Sequence, residues 1–417
     1  MKYLLAIALY SLGVASAAAQ SYLPAEELVQ DALDSHPSLS VAKAGVLVAQ
    51  SEARGLAVGP YEWTISAGYT QRVIENQFGF NEFDAELTKG FRRRGKATLD
   101  REIGTLGIEA ARLSNADQRH EIALELATLW IEWLAKEEQL AIALAQVGSF
   151  EASVNTVERR LRANDASLLE LELAQTALAE ARTAAASVTG NVETAKRRLG
   201  VMFPDLPLPG NPLLLKGPEN IENLERWRSL IIERSHEIEL AETKARLASV
   251  VARRSRQDLK PDFEAGLRTF SERNGNEAGL GIVVSIPLGG AKRSAALERD
   301  TARSSLAMAD LALKHREIEA MAQTDVALAQ SSIQAWQAAL SAKQTSSAAI
   351  TRLRRGFELG DIRLSELLIA ERRHVDIVGL EASARARSAY AVVRLRINAH
   401  DLWLRRGYDE AGAAVFD

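Results

Sequence analysis

From residue 61 to residue 203 the chain contains no proline, although Pro60 and Pro204 stand on either side. Proline is excluded from helix interiors because it lacks an N–H and its ring clashes with the preceding turn. A second proline-free stretch follows Pro287. Both are rich in Ala, Leu, Glu and Arg, so each has room for a helix of unusual length. In the first, Ile122, Leu126, Leu129, Trp133, Lys136, Leu140, Ala143, Val147, Phe150, Val154, Val157 and Leu161 recur in alternating steps of four and three. Only Lys136 is polar. This is a heptad seam, and its period implies left-handed supercoiling against neighbouring helices. A helix over 95–161 would be roughly 100 Å long at 1.5 Å per residue. Such a helix must lie along partners, although a solvated two-stranded coiled coil would carry the same seam. The second stretch predicts a helix over 292–356. Val326, Ala329, Ile333, Trp336 and Leu340 hold its seam, which weakens at Lys343 and Ser347.

Each long helix ends in a similar break. RLRANDASLLELELAQ (160–175) stands beside GFELGDIRLSELLIAE (356–371). Asn164-Asp165 and Gly360-Asp361 supply the residues that favour turns at helix ends. Helices over 167–199 and 363–405 follow. The offsets are nearly constant: Asn164 and Gly360 lie 196 apart, as do Gly95 and Ala291, while Pro60 and Pro261 lie 201 apart. Ser35-His36 and Ser235-His236 are a further match. The chain therefore reads as two internal repeats, 20–200 and 221–406. A Pro-rich linker, 201–220, joins them, and a tail, 407–417, ends the chain. Each repeat runs in the order shorter helix, Pro, strand pair, very long helix, turn, helix.

The repeat demands two β-hairpins, over 61–91 and 262–288, and the alternation is present in both. In the first, Trp63, Ile65 and Tyr69 alternate with Thr64, Ser66 and Gly68, and Phe83 and Leu87 alternate with Asp84 and Glu86. In the second, Phe263 and Leu267 alternate with Glu264 and Gly266. Leu280, Ile282, Val284 and Ile286 alternate with Gly279, Gly281 and Ser285. One face is apolar and the other is Gly, Ser, Thr or charged. Each strand runs about nine to eleven residues, the length of a tilted membrane-crossing strand. In a sandwich the apolar face would be a core; in a membrane barrel it would meet lipid. Nothing in the chain offers a second sheet to cover that face, which favours the barrel. Four strands cannot close, and open edges are not tolerated in hydrocarbon. Three chains would supply twelve strands, enough for an open lumen.

Other features bound the reading. Lys2, the apolar run Leu4 to Val14 and Ala17-Ala18-Ala19 fit a cleaved export signal over 1–19. No later run of about 18 apolar residues offers a membrane-spanning helix. The net charge of −4 gives no basic field for nucleic acid, and there are no cysteines. The six histidines (36, 120, 236, 315, 374, 400) are scattered, none pairing with another at ligand spacing. No catalytic constellation, cofactor motif or metal-ligand pattern is found. The glycines at 279, 281, 289 and 290 precede no GK[ST] and read as strand and junction residues. The expected fold class is mostly α with a small β part.

The repeated layout, the SHPSLSVAKAGVLVAQSEA opening (35–53), the strand-to-helix junctions ELTKGFRRRGK and SIPLGGAKR, and the FELGDIRLSELLIAERR turn together resemble the TolC-like outer membrane efflux protein family. The resemblance spans essentially the whole mature chain. It departs at the first junction, where Arg92-Arg93-Arg94 replaces the usual run. It implies a homotrimer with a 12-stranded β-barrel in outer membrane lipid and a coiled-coil α-helical barrel in the periplasm of a Gram-negative cell. It also implies docking to a periplasmic adaptor (membrane fusion) protein and an inner-membrane pump of RND type. On this resemblance Trp63, Ile65, Tyr69, Phe83, Leu87, Phe263, Leu267, Leu280, Ile282, Val284 and Ile286 face lipid. The turns form the periplasmic mouth, with Leu359, Gly360 and Asp361, and their counterparts Ala163, Asn164 and Asp165, as adaptor-docking tips. Glu366 matches an acidic gate position; a second family acid would fall at Ile369 and is lacking. Glu170 and Glu172 would add negative potential. The opening helix and layout look most like heavy-metal cation exporters, while drug efflux and type I protein secretion share the scaffold. A periplasmic coiled-coil structural or adaptor protein is the competing class.

Overall fold

The computed structural model describes residues 22–75, 79–218 and 221–404. The expected export signal and the tail 407–417 lie outside the described residues. The chain divides into two compact units. The first holds the described residues up to His36, those from Ile122 to Leu224 and those from Asp325 onward. The second holds Pro37–Glu121 and Glu225–Thr324. Each unit therefore draws on both sequence repeats.

The long helices are α3, Arg94–Arg162, and α7, Ala291–Leu359, each of 69 residues. The helices after the turns are α4, Leu168–Met202, and α8, Leu364–Asn398, each of 35 residues. Equal lengths in the two halves make the repeat explicit in three dimensions. The shorter helix expected in each repeat is broken in two. α1, Glu26–Asp34, and α2, Pro37–Val58, meet at Ser35-His36. α5, Leu224–Glu233, and α6, His236–Asp258, meet at Arg234-Ser235. Ser235 caps α6, its hydroxyl accepting from Ile238 N at 3.2 Å. The matched Ser-His pairs thus mark matched breaks.

α8 stops at Asn398, seven residues short of the expected 405. His400 and Trp403 take left-handed backbone (φ 52° and 62°). Asp401 N donates to Arg396 O at 2.8 Å, and the Arg396 guanidinium pairs with the Asp401 carboxylate at 2.8 Å. Gln30 of α1 then donates to Trp403 O at 2.7 Å. Tertiary bonds end the helix where periodicity alone continued it.

In the first unit the seam residues Ile122, Leu126, Leu129, Trp133, Phe150, Val154 and Val157 are buried, Trp133 completely (0% exposed). The α7 seam carries Ala329 and Ile333 inward. At its weak point Lys343 donates to the Glu381 carboxylate at 2.7 Å, and the Trp336 indole N–H donates to the same group at 2.9 Å. Arg385 bridges Glu381 (3.0 Å), Glu138 and the carbonyl of Leu215 (2.7 Å). The Pro-rich segment is packed, with Phe203, Leu206 and Leu215 buried. Gly217 lies flat against Trp336, where a Cβ would fall 1.9 Å from the ring.

In the second unit β1, Trp63–Arg72, β2, Phe80–Phe91, β3, Phe263–Glu272, and β4, Glu277–Ser285, form one antiparallel sheet in the order β1-β2-β3-β4. The two hairpins join through β2 and β3. The second turns through Arg273, Asn274 and Gly275, all at positive φ. β4 ends at Ser285, so Ile286 lies just beyond the strand and the hairpin closes before the expected residue 288. By register Pro287 would stand opposite Asp262, and it has no N–H to extend the ladder.

Candidate functional site

Two surfaces carry the sequence-predicted residues. In the second unit, register aligns Ile65, Leu87, Leu267 and Ile282 in one row across all four strands. Successive side chains in a strand point to opposite faces. The same face therefore holds Trp63, Tyr69, Phe83, Phe263, Leu280 and Val284. All are exposed; Ile282 and Ile65 keep 79% and 77% of their surface. Tyr69 and Phe83 pack at a tilt with ring centres 5.2 Å apart, and Phe91 and Phe263 stack at 5.3 Å. The one charge on this face, Lys89, lies with its ammonium 5.1 Å from the Trp63 ring. The opposite face carries Glu82, Asp84, Glu86, Glu264, Glu272 and Glu277 against Arg72 and Arg268. β1 and β4 have no strand on their outer edges among the described residues.

In the first unit the two turns share one core of Phe150, Val154, Val157, Ala174, Ala177, Ala181, Ile350, Phe357, Leu364, Leu367 and Leu368. Their backbones match bond for bond. Asn164 N donates to Leu161 O at 3.0 Å and Asp165 N to Arg160 O at 2.8 Å. Gly360 N donates to Phe357 O at 3.1 Å and Asp361 N to Gly356 O at 2.9 Å. Asn164 and Gly360 hold the required left-handed conformation, φ 57° and 84°. Ala163, Asn164, Asp165, Leu359, Gly360 and Asp361 are all exposed. The two tips differ in charge pairing. Arg160 binds Asp165 at 2.9 Å and covers the Phe357 ring at 5.5 Å. Its counterpart is Gly356, packed against Ile362, so Asp361 has no such arginine.

Of the proposed gate acids, Glu366 is exposed in the first turn of α8, and Glu172 is exposed one turn into α4. Glu170 is not a free charge: it closes a capping box. Its carboxylate accepts from Ser167 N at 2.8 Å, and its own N–H donates to the Ser167 hydroxyl at 3.2 Å. The Ser-Leu-Leu-Glu spacing signals this in the sequence. Ser167→Ala should lower stability by about 1 kcal/mol in chemical denaturation, the usual value of an N-cap, while Glu172→Gln should stay within about 0.5 kcal/mol.

Glu371 belongs to a group that sequence patterns do not single out. Its side chain is 1% exposed and takes two bonds from Arg354, at 2.6 and 2.8 Å, and one from the Ser149 hydroxyl at 3.0 Å. With His374, Lys343 and Thr156 these residues line a groove of about 570 Å³. Burial, then Arg354, holds the His374 imidazole below its ordinary range, toward the neutral form. Ser149 lies 222 residues from Glu371, so no local spacing announces the group.

One four-stranded sheet with an exposed apolar face, two 69-residue helices and two 35-residue helices are the elements of the fold of the TolC-like outer membrane channels. Three solved structures illustrate it. CusC, described as forming a transmembrane channel, superimposes with a TM-score of 0.76 at 17% identity, covering 91% of this chain and 93% of its own. VceC, an outer membrane protein of Vibrio cholerae, gives 0.72 at 17% identity over 91% and 96%. The outer membrane channel CmeC of Campylobacter jejuni gives 0.73 at 11% identity over 93% and 88%. No protein-family model and no curated protein sequence matches. Among the described residues no helix is long and apolar enough to cross a membrane.

Proposed function

We propose that three copies of this chain close a 12-stranded barrel in the outer membrane and act as the exit duct of a tripartite export system. The carrying observation is the sheet: one apolar, solvent-exposed face and two unpaired edges on a chain with this fold. Exposed edges and a broad apolar face are unstable in water, and closure in lipid satisfies both. The periplasmic helices would meet an adaptor at the tips formed by Ala163–Asp165 and Leu359–Asp361, with an inner-membrane pump of RND type beyond. The duct needs no energy source or catalytic group of its own.

Cations are the favoured cargo. The polar sheet face carries six carboxylates against two guanidiniums, and Glu366 would add an acidic ring at the mouth. Such a wall raises the local concentration of positive ions. Together with the sequence likeness to heavy-metal exporters, this favours metal cations over drugs or secreted proteins.

The test is reconstitution of the purified chain in planar bilayers. Trimers extracted only by detergent, with cation-selective conductance, are expected. A soluble monomer recovered without detergent would overturn the reading. Glu366→Lys should reduce cation selectivity and alter block by divalent ions. Unchanged conductance and block would remove the gate role of Glu366.

A further inference from the structure

Outside the sheet and the turns, the second unit brings together three side chains with metal-binding chemistry. Asp117 and His120 lie one turn apart on α3, so they share a helix face. Glu237 comes from the first turn of α6. One donor atom from each lies within 4.8 Å of the others. From this geometry we infer that Asp117, His120 and Glu237 bind a transition-metal dication of the zinc class, tying the start of α6 to α3.

Four observations support the site. First, His120 is buried, with 4% of its surface exposed, whereas Asp117 and Glu237 are partly open, giving an ion a route from solvent. Second, His120 Nδ1 stands 3.9 Å from Glu237 Oε1. That is too long for a hydrogen bond but suits two ligands of one ion, each bound at about 2.0–2.2 Å. Third, Glu237 is held from behind: its Oε2 accepts from the Ser235 hydroxyl at 2.7 Å. An outer hydrogen bond of this kind fixes a ligating carboxylate and leaves the other oxygen for the ion. Fourth, the local charge calls for a cation. The Glu237 and Glu121 carboxylates both lie close enough to Asp117 to repel its charge. Lys314 of α7 and His236 face the group, but Lys314 is already engaged by Glu317 at 2.6 Å.

The donor set sets the choice of metal. One imidazole with two carboxylates suits zinc, cobalt or nickel, whereas magnesium and calcium prefer all-oxygen shells. Three protein ligands leave a position for water, as in open zinc sites. The group has one histidine, and its third ligand lies far along the chain, so no histidine pair or local spacing marks it.

The experiment titrates the metal-stripped, purified full-length chain with Co²⁺, read by visible absorption, and then displaces it with Zn²⁺. One ion per chain is expected, with the absorption of a mixed nitrogen and oxygen shell. Asp117→Asn and Glu237→Gln preserve shape at partly exposed positions and should each weaken binding by at least the roughly 10–100-fold that loss of an outer-shell partner costs. His120→Gln should abolish the nitrogen contribution to the spectrum. Glu121→Gln, which removes charge but no ligand, should retain one ion per chain. No uptake, unchanged affinity in Asp117→Asn and Glu237→Gln, or equal uptake of Mg²⁺ and Zn²⁺ would each overturn the assignment. Should His120→Gln not fold, the other two variants decide.

Discussion

Leu267→Arg should lower the stability of the lipid-folded protein by about 2–4 kcal/mol per chain, the cost of arginine near the midplane on a barrel's lipid face. Leu267 sits in the row Ile65, Leu87, Leu267, Ile282, central in the sheet and on its apolar face. If three copies share one barrel, as proposed, the cost is tripled and folded trimer should nearly vanish from vesicles. The control is Ser66→Arg on the other face, where Glu86 stands directly opposite. That change adds an opposite-charge pair at a watered surface and should be within about 1 kcal/mol of neutral. Urea titration of protein folded into lipid vesicles measures both. If the apolar face met water instead, Leu267 is already exposed and its replacement would cost little, as at other surface positions. Equal effects of the two arginines would therefore exclude lipid from the apolar face.

Arg385→Ala should cost about 3–5 kcal/mol, because it strands the buried Glu138 carboxylate and takes one of three partners from Glu381. The side chains of Glu138 and Glu381 are 9% and 2% exposed, and Arg385 binds both. The Leu215 carbonyl in the Pro-rich segment loses its donor as well. Arg182→Ala is the contrast: its pair with Glu151 is exposed on both sides and should contribute under about 1 kcal/mol. Denaturation midpoints of the two variants give the comparison, and a similar small loss in both would show that the network carries no special stability. Acid should probe the same network. Burial opposes ionisation of Glu381, but Lys343, Trp336 and Arg385 outweigh it and hold its carboxyl below the ordinary range. A lowered carboxylate contributes stability above its unfolded range, which is lost as pH falls through the folded value. Glu138 runs the other way: burial pushes its carboxyl up against the pull of Arg385.

Much of the architecture was legible because it is written in periodicity. The four-three steps from Ile122 to Leu161 fall on inward-facing positions, and the break at Asn164-Asp165 carries the bonds seen at Gly360-Asp361. Strand alternation likewise needs only period two. What misled was extrapolation past a signal. The α8 pattern continues beyond Asn398, but Gln30, more than 370 residues earlier, binds Trp403 and helps turn the chain. Glu170 closes a capping box whose Ser-Leu-Leu-Glu spacing is local and so stands in the sequence.

The sequence by itself determined the helices, the hairpins, the turns and their twofold repetition, because each is set by neighbours within a few residues. Only the tertiary structure decided that the two hairpins pair through β2 and β3 into a single sheet with one apolar face. It alone placed Glu371 beside Arg354 and Ser149, Arg385 between Glu138 and Glu381, and Glu237 beside Asp117 and His120. Buried charges and candidate ligands take their partners from wherever packing delivers them. Spacing along the chain holds no record of such pairs, so the electrostatics of this protein became readable only once its helices were laid side by side.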